Sequence, residues 1–121
     1  MEFDKGQNPT CIFCGIAAGV TMADVVYDGG DTIFFRDINP KARVHIVGIP
    51  KEHITSLAAV ADDNLMLLGK LLHDASVVAS QQDLGGGGYR VVTNVGSDAG
   101  QEVDHMHIHI LGGESLGPLR C

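Results

Sequence analysis

The stretch VDHMHIHI, Val103 to Ile110, carries three of the chain's six histidines at every second position: His105, His107 and His109. A strand sends alternate side chains to opposite faces, whereas a helix would scatter these imidazoles around its surface. The alternation predicts a strand over 103–111, with the histidines on one face and Met106, Ile108 and Ile110 buried on the other. A merely solvated row would be served by Thr, Lys or Ser, so the imidazoles point to chemistry. Two chemistries are open. His-x-His donates two metal ligands, yet His105 and His109 stand roughly 13 Å apart along a strand. Metal–nitrogen bonds of about 2.1 Å do not let one ion take all three. Imidazole also serves as nucleophile, acid or base near neutral pH. A central His107 flanked by two others would be oriented by them and would share developing charge with them.

The loop ahead of this strand, NVGSDAGQE at 94–102, favours catalysis on an anion. Gly96 and Gly100 let backbone amides approach a ligand closely, and Asn94 and Gln101 donate amide hydrogens. Amides and imidazoles converging on one point suit a phosphoryl group, whose charge is spread over several oxygens. The GGGG run at 85–88 lacks the Lys and Ser/Thr of a phosphate-binding P-loop and reads as a helix stop and flexible turn.

Working outward, DVVYDGG and DTIFFRDINP read as two strands about a Gly-Gly turn. RVHIVGIP is a third strand closed by Pro50, and YRVVTNV a fourth. CIFCGIAAG forms a short helix ending near Gly19. The one long helix covers DDNLMLLGKLLHDASVVASQQ, capped by Asp62 or Asp63. Leu65, Leu68, Leu72, Ala75 and Ala79 form its stripe at three- and four-residue steps. His73 on that helix has no expected role. Strands in succession with one long helix make an α+β domain with an antiparallel sheet.

A chain of 121 residues has room for one compact domain. We divide it into a flexible leader over 1–10 and a single domain over 11–121. Two Tyr, four Phe and no Trp leave aliphatic side chains to build the core. A net charge of −7 argues against a nucleic-acid duplex binder that needs a basic face. It does not exclude a small anion in a locally positive pocket. The opening MEFDKGQNPT lacks the features of a signal peptide, and no apolar run reaches membrane-span length. The expected location is the cytoplasm, with no membrane partner. Three cysteines, Cys11, Cys14 and Cys121, are an odd count and not a secreted disulfide framework. Cys121 is expected to be a mobile terminal thiol.

HMHIH followed by ILGG, with GYRVVTNVGSDAGQEV ahead of it, resembles the histidine triad (HIT) family, marked by His-x-His-x-His and apolar residues. FRDINPKARVHIVGIPKEHI is similar to the family's upstream segment, and the likeness runs from about Cys11 to Pro118. The GQEV…HILGG wording and short tail look most like the Hint-like branch of nucleoside phosphoramidases and nucleotide hydrolases. The resemblance implies a five-stranded antiparallel sheet per subunit, with one long and one short helix, in a homodimer. It implies cleavage of purine nucleoside 5′-phosphoramidates or related AMP or GMP conjugates through a covalent nucleotidyl-histidine. A dinucleoside polyphosphate hydrolase and a nucleotide-binding scaffold with little turnover are the alternatives.

By the same resemblance, His107 attacks the α-phosphorus. His109 and His45 orient it and stabilise charge, and His105 shapes the site through hydrogen bonds. Asp37 binds the ribose hydroxyls, and Phe35 and Ile38 pack on the base. Asn94, Gly100, Gln101, Glu102 and Val103 contact phosphate and sugar. Read from the residues alone, Phe35 and Ile38 also suit a core, and Asp37 a turn before INP. Some relatives carry Ser where Glu102 stands, so this carboxylate bears on the leaving group. The tail also lacks a Trp found in some relatives. CIFC alone fits a redox pair or two packed thiols. Relatives with this pair imply a structural zinc on Cys11, Cys14, His53 and His105, and no organic cofactor.

Overall fold

The computed structural model describes Phe3, Asp4 and residues 6–119, so the expectation for Cys121 lies outside the described residues. The chain runs α1 (Ile12–Ala17), β1 (Val25–Asp28), β2 (Thr32–Arg36), β3 (Val44–Pro50), α2 (Leu65–Gln81), β4 (Tyr89–Val92) and β5 (Ile108–Gly112). The strands form one antiparallel sheet in the order β1-β2-β3-β5-β4, the α+β arrangement expected.

Both faces of the sheet are covered at its centre. Phe34, Ile46, Ile108 and Ile110 face α2 and pack on Leu71, Ala75, Val78 and Ala79. Ile33, Phe35, Val47 and Ile49 face the other way and pack with Ile16, Phe13 and Ala17 of α1. Double coverage explains why β2 and β3 read as nearly continuous apolar runs rather than clean alternations. Gly48 is required at its place in β3, because a Cβ there would lie 2.2 Å from Cε2 of the buried Phe34 ring. Asp74 is the one buried carboxylate of α2; it accepts from Thr32 Oγ1 at 2.7 Å and Lys70 Nζ at 2.8 Å, so its burial leaves no orphaned charge.

Three expectations change. The histidine strand is shorter than 103–111, and only Ile108–Gly112 pairs. Gly48 opposes Ile108 in the β3·β5 ladder, so the next partner would be Pro50, which has no N–H to give. Met106 N–H goes to Ile54 O instead, and Thr93 Oγ1 donates to His107 O at 2.7 Å. The helix stripe is rotated: Leu71, Ala75, Val78 and Ala79 are buried, whereas Leu65 and Leu72 are exposed. The helix also begins later, because Asp62 and Asp63 sit within a preceding 3₁₀ turn and cap nothing; Asn64 is the N-cap residue. Among the described residues no helix is long and apolar enough to cross a membrane.

Candidate active site

On the α1 side of the sheet lies a cavity of about 620 Å³, within the range of small-molecule sites. It runs from Phe35 and Asp37 at β2, past His45 and Val47 on β3 and His107 and His109 at β5, to Val92, Asn94, Gly100, Glu102 and Val103. The sheet order places β2, β3, β5 and β4 side by side, which brings these distant segments onto one surface.

The hydrogen bonds fix which nitrogen of each imidazole carries the proton. Burial lowers the pKa of His45 and pushes that of His109 down to about 4, so both rings are neutral near pH 7. A neutral imidazole has one donor and one acceptor. His45 Nδ1 accepts the Lys41 N–H at 3.0 Å, so its proton sits on Nε2. That Nε2 donates to His109 Nδ1 at 2.9 Å, which places the His109 proton on its own Nε2. His107 Nδ1 donates to the His105 carbonyl at 2.7 Å, so in the neutral ring Nε2 is the lone-pair nitrogen, in the pocket that the ring lines. The His107 and His109 rings stand edge to face with centroids 5.0 Å apart. A lone-pair nitrogen of His107 therefore has a proton-bearing imidazole beside it, an arrangement able to attack a phosphoryl group and steady its charge. Asp37, His45 and His109 also present ligand atoms within 4.8 Å. His45 Nε2 donates to His109 Nδ1 and lies 3.4 Å from Asp37 Oδ2, so the His45 proton occupies the point where the three ligand atoms meet.

Asp37 forms the turn and also lines the cavity. Its Oδ1 accepts the Asn39 N–H at 2.8 Å, forming the turn, while Oδ2 lies 3.4 Å from His45 Nε2 at the cavity. Phe35 is both core and pocket wall. Ile38 is 93% exposed and lines the cavity, so it is no core residue. Gln101 departs from expectation: it is not among the lining residues and instead braces the loop. Its Nε2 donates to Thr55 O at 2.8 Å and Val103 O at 2.9 Å, and its Oε1 accepts the Gly96 N–H at 2.9 Å. Sequence reasoning missed Ile12, Phe13, Ile16 and Met22, which line the apolar end of the cavity. The signal was the apolar spacing at 12, 13 and 16 between and after the cysteines.

His105 turns away from the cavity. Its fully buried ring donates from Nε2 to Pro50 O at 2.8 Å, leaving the Nδ1 lone pair toward Cys11 and Cys14. The four side chains Cys11, Cys14, His53 and His105 bring their ligand atoms within 4.8 Å of one another. Tetrahedral zinc, with bonds of about 2.3 Å to sulfur and about 2.1 Å to nitrogen, holds such ligands about 3.6 Å apart. Here Cys11 Sγ–His105 Nδ1 is 3.4 Å, Cys14 Sγ–His53 Nδ1 3.3 Å and Cys14 Sγ–His105 Nδ1 3.5 Å. Burial pushes the His105 pKa down to about 4, keeping the neutral ring a ligand requires. The donor set is compatible with zinc. His73 lies on the exposed side of α2.

Residues 10–119 match the family model described as scavenger mRNA decapping enzyme C-term binding. Protein HitA of Neisseria gonorrhoeae is 44% identical over 102 residues, covering 84% of this chain and 94% of that protein. The purine nucleoside phosphoramidase of Escherichia coli K12 is 37% identical over 108 residues, covering 89% and 91%. A 14 kDa zinc-binding protein of Zea mays is 43% identical over 112 residues, covering 91% and 86%. A HIT family hydrolase from Legionella pneumophila superposes with a TM-score of 0.87 at 44% identity, over 89% of this chain and 96% of that one. A histidine triad protein from Clostridium difficile superposes with 0.91 at 36% identity, over 94% and 99%. Fold, site and sequence agree, and the chain belongs to the histidine triad family.

Proposed function

We propose that this protein is a nucleotide hydrolase that cleaves purine nucleoside 5′-phosphoramidates, or related AMP or GMP conjugates, through a nucleotidyl-histidine. The observation that carries this reading is the free Nε2 of His107, left by the Nδ1 bond to the His105 carbonyl inside a nucleotide-sized cavity. The base lies between Phe35, Ile38 and the α1 side chains, and Asp37 Oδ2 takes the ribose hydroxyls. Asn94 and the Gly100 and Val103 backbone hold the phosphate. The His107 Nε2 lone pair forms a bond to the α-phosphorus while the phosphorus–nitrogen bond breaks; its electron pair leaves on the amine nitrogen, which takes a proton from solvent water. His109 Nε2–H stabilises the charge on the phosphoryl oxygens. Water then breaks the histidine–phosphorus bond and frees the nucleotide.

The phosphoramidase relative supports the amine leaving group. The match to a decapping family favours a second reading, a dinucleoside polyphosphate hydrolase on the same nucleophile. We further infer a structural zinc on Cys11, Cys14, His53 and His105, supported by the ligand spacing and the zinc-binding relative. When bound, it would tie α1 to the loops around β3 and β5.

The test is steady-state hydrolysis of an adenosine 5′-phosphoramidate bearing a fluorescent amine, with diadenosine polyphosphate in parallel. Efficient release of the amine, falling by at least about 10³-fold in His107→Ala, is the expected result. Undiminished turnover by His107→Ala would remove His107 as nucleophile. Preference for the polyphosphate would establish the second reading. No turnover of either by folded, AMP-binding protein would leave a binding role.

A further inference from the structure

Helix α1 faces two sites at once. Cys11 and Cys14 point into the metal cluster, while Ile12, Phe13 and Ile16 line the nucleotide cavity. Six residues are too few for a helix to hold itself, and sulfur organises this one. Cys11 Sγ accepts the Cys14 N–H as the N-cap at 3.4 Å, and Cys14 Sγ accepts the Asn8 N–H at 3.2 Å.

Phe13 is where the two sites meet. Its ring stands edge to face against His105 of the cluster at 5.9 Å and 74°, and against the nucleophile His107 at 5.1 Å and 83°. It meets Phe35 of the base wall at 5.5 Å and 65°. A second link runs through the backbone, because the carbonyl of His105 holds the His107 Nδ1 proton. A shift of His105 or of α1 therefore moves the base wall and the nucleophile together.

We propose that the Cys11–Cys14–His53–His105 cluster and the nucleotide cavity are coupled sites, with Phe13 the positioning residue between them, so that bound metal tightens nucleotide binding. The proposal rests on the zinc and nucleotide readings above. Metal that clamps both sulfurs to His105 and His53 removes freedom from α1 before the nucleotide arrives, and that ordering need not be repeated on binding. Coupling of this kind is reciprocal, so nucleotide must tighten metal by the same factor.

The experiment titrates AMP by calorimetry into the full chain loaded with zinc and into the chelator-stripped chain. Zinc uptake is followed separately with a chromophoric competitor. The stripped chain is expected to bind AMP at least about fivefold more weakly, and AMP to raise zinc affinity by the same ratio. If stripping costs the fold by circular dichroism, Cys11→Ser takes its place, since Ser removes a thiolate yet keeps an N-cap oxygen for α1. Phe13→Leu should bind both ligands with the ratio reduced toward one. Ile12→Ala lies on the same helix and cavity wall, outside the aromatic edge contacts with His105 and His107. It should weaken AMP in both states and keep the ratio. Equal AMP affinities in two folded states, with zinc stoichiometric in one, would overturn the coupling alone. A full ratio in Phe13→Leu would overturn the role of Phe13. Failure to take up zinc, or to bind AMP in either state, would overturn the proposal together with the reading beneath it.

Discussion

Glu102 is an exposed carboxylate that lines a cavity proposed to hold an anion, and no ion pair among the described residues neutralises it. It lines the cavity with Asn94 and Gly100 on the β4–β5 connection, whereas Phe35 belongs to β2, on the other side of β3 and β5. A negative charge there discriminates by the charge of the departing group. In solvent-exposed surroundings a unit charge a few ångströms away contributes about 1 kcal/mol, or about fivefold. Glu102→Gln should therefore lower kcat/KM about two- to fivefold for a phosphoramidate whose amine carries an extra cation. It should raise kcat/KM by a similar factor for a polyphosphate leaving group. Competition assays with the two substrates check this, and an unchanged ratio would show that Glu102 does not face the leaving group. At this scale the sequence spoke clearly where chemistry requires a rare residue type. His107, His109, His45 and Asp37 meet in one cavity. The bracing role of Gln101 was not legible, because an amide suited to a phosphate is equally suited to holding its own loop, and only the fold shows that Thr55 and Val103 claim its side chain.

The elements were legible where their pattern is local. Period-two alternation identifies the faces of Ile108 and Ile110, and the cavity and core confirm that separation. The strand's early end was hidden because it depends on Pro50, a residue on another strand 58 positions before Ile108. The helix phase was hidden for a different reason. Leu65, Met66, Leu67, Leu68, Leu71 and Leu72 make α2 apolar around much of its circumference, so tertiary packing rather than spacing selects the buried stripe. Packing also governs Gly48. An added methyl would sit 2.2, 2.6 and 2.9 Å from Cε2, Cδ2 and Cζ of Phe34, an aromatic ring at the centre of the sheet with nowhere to retreat. Gly48→Ala should destabilise the chain by about 1–3 kcal/mol, read as a lower denaturation midpoint at unchanged m-value. Phe34→Leu on the same background should recover part of the loss. A shift below about 0.5 kcal/mol would mean that β3 and β2 separate more readily than their register implies.

The whole molecule leaves an apolar surface in one layer. Strand β4 is a sheet edge, and Val91 lies across from Ile110, whose side chain faces α2. Val91 and Tyr89 thus share the α2 side of the sheet, yet α2 does not cover them: each is 40% exposed. On α2, Leu65, Met66 and Leu72 are also exposed. An open strand edge with exposed side chains is a template for pairing, and the exposed apolar side chains of the helix are a second unpartnered set. Two copies related by a two-fold axis would join β4 to β4 and lay one helix against the other, an isologous contact that closes on itself. We therefore expect light scattering to give twice the 12.8 kDa chain mass at micromolar concentration. Val91→Lys places a charge on the edge strand and Met66→Glu places one on the helix; either should shift the mass toward one chain while circular dichroism stays that of the folded domain. Because the helix and the strand edge are separate in sequence, a response from only one of them would locate the contact there. A wild-type chain of single mass at 100 micromolar, on the order of a hundred times a typical micromolar affinity, would instead show that these leucines cover nothing.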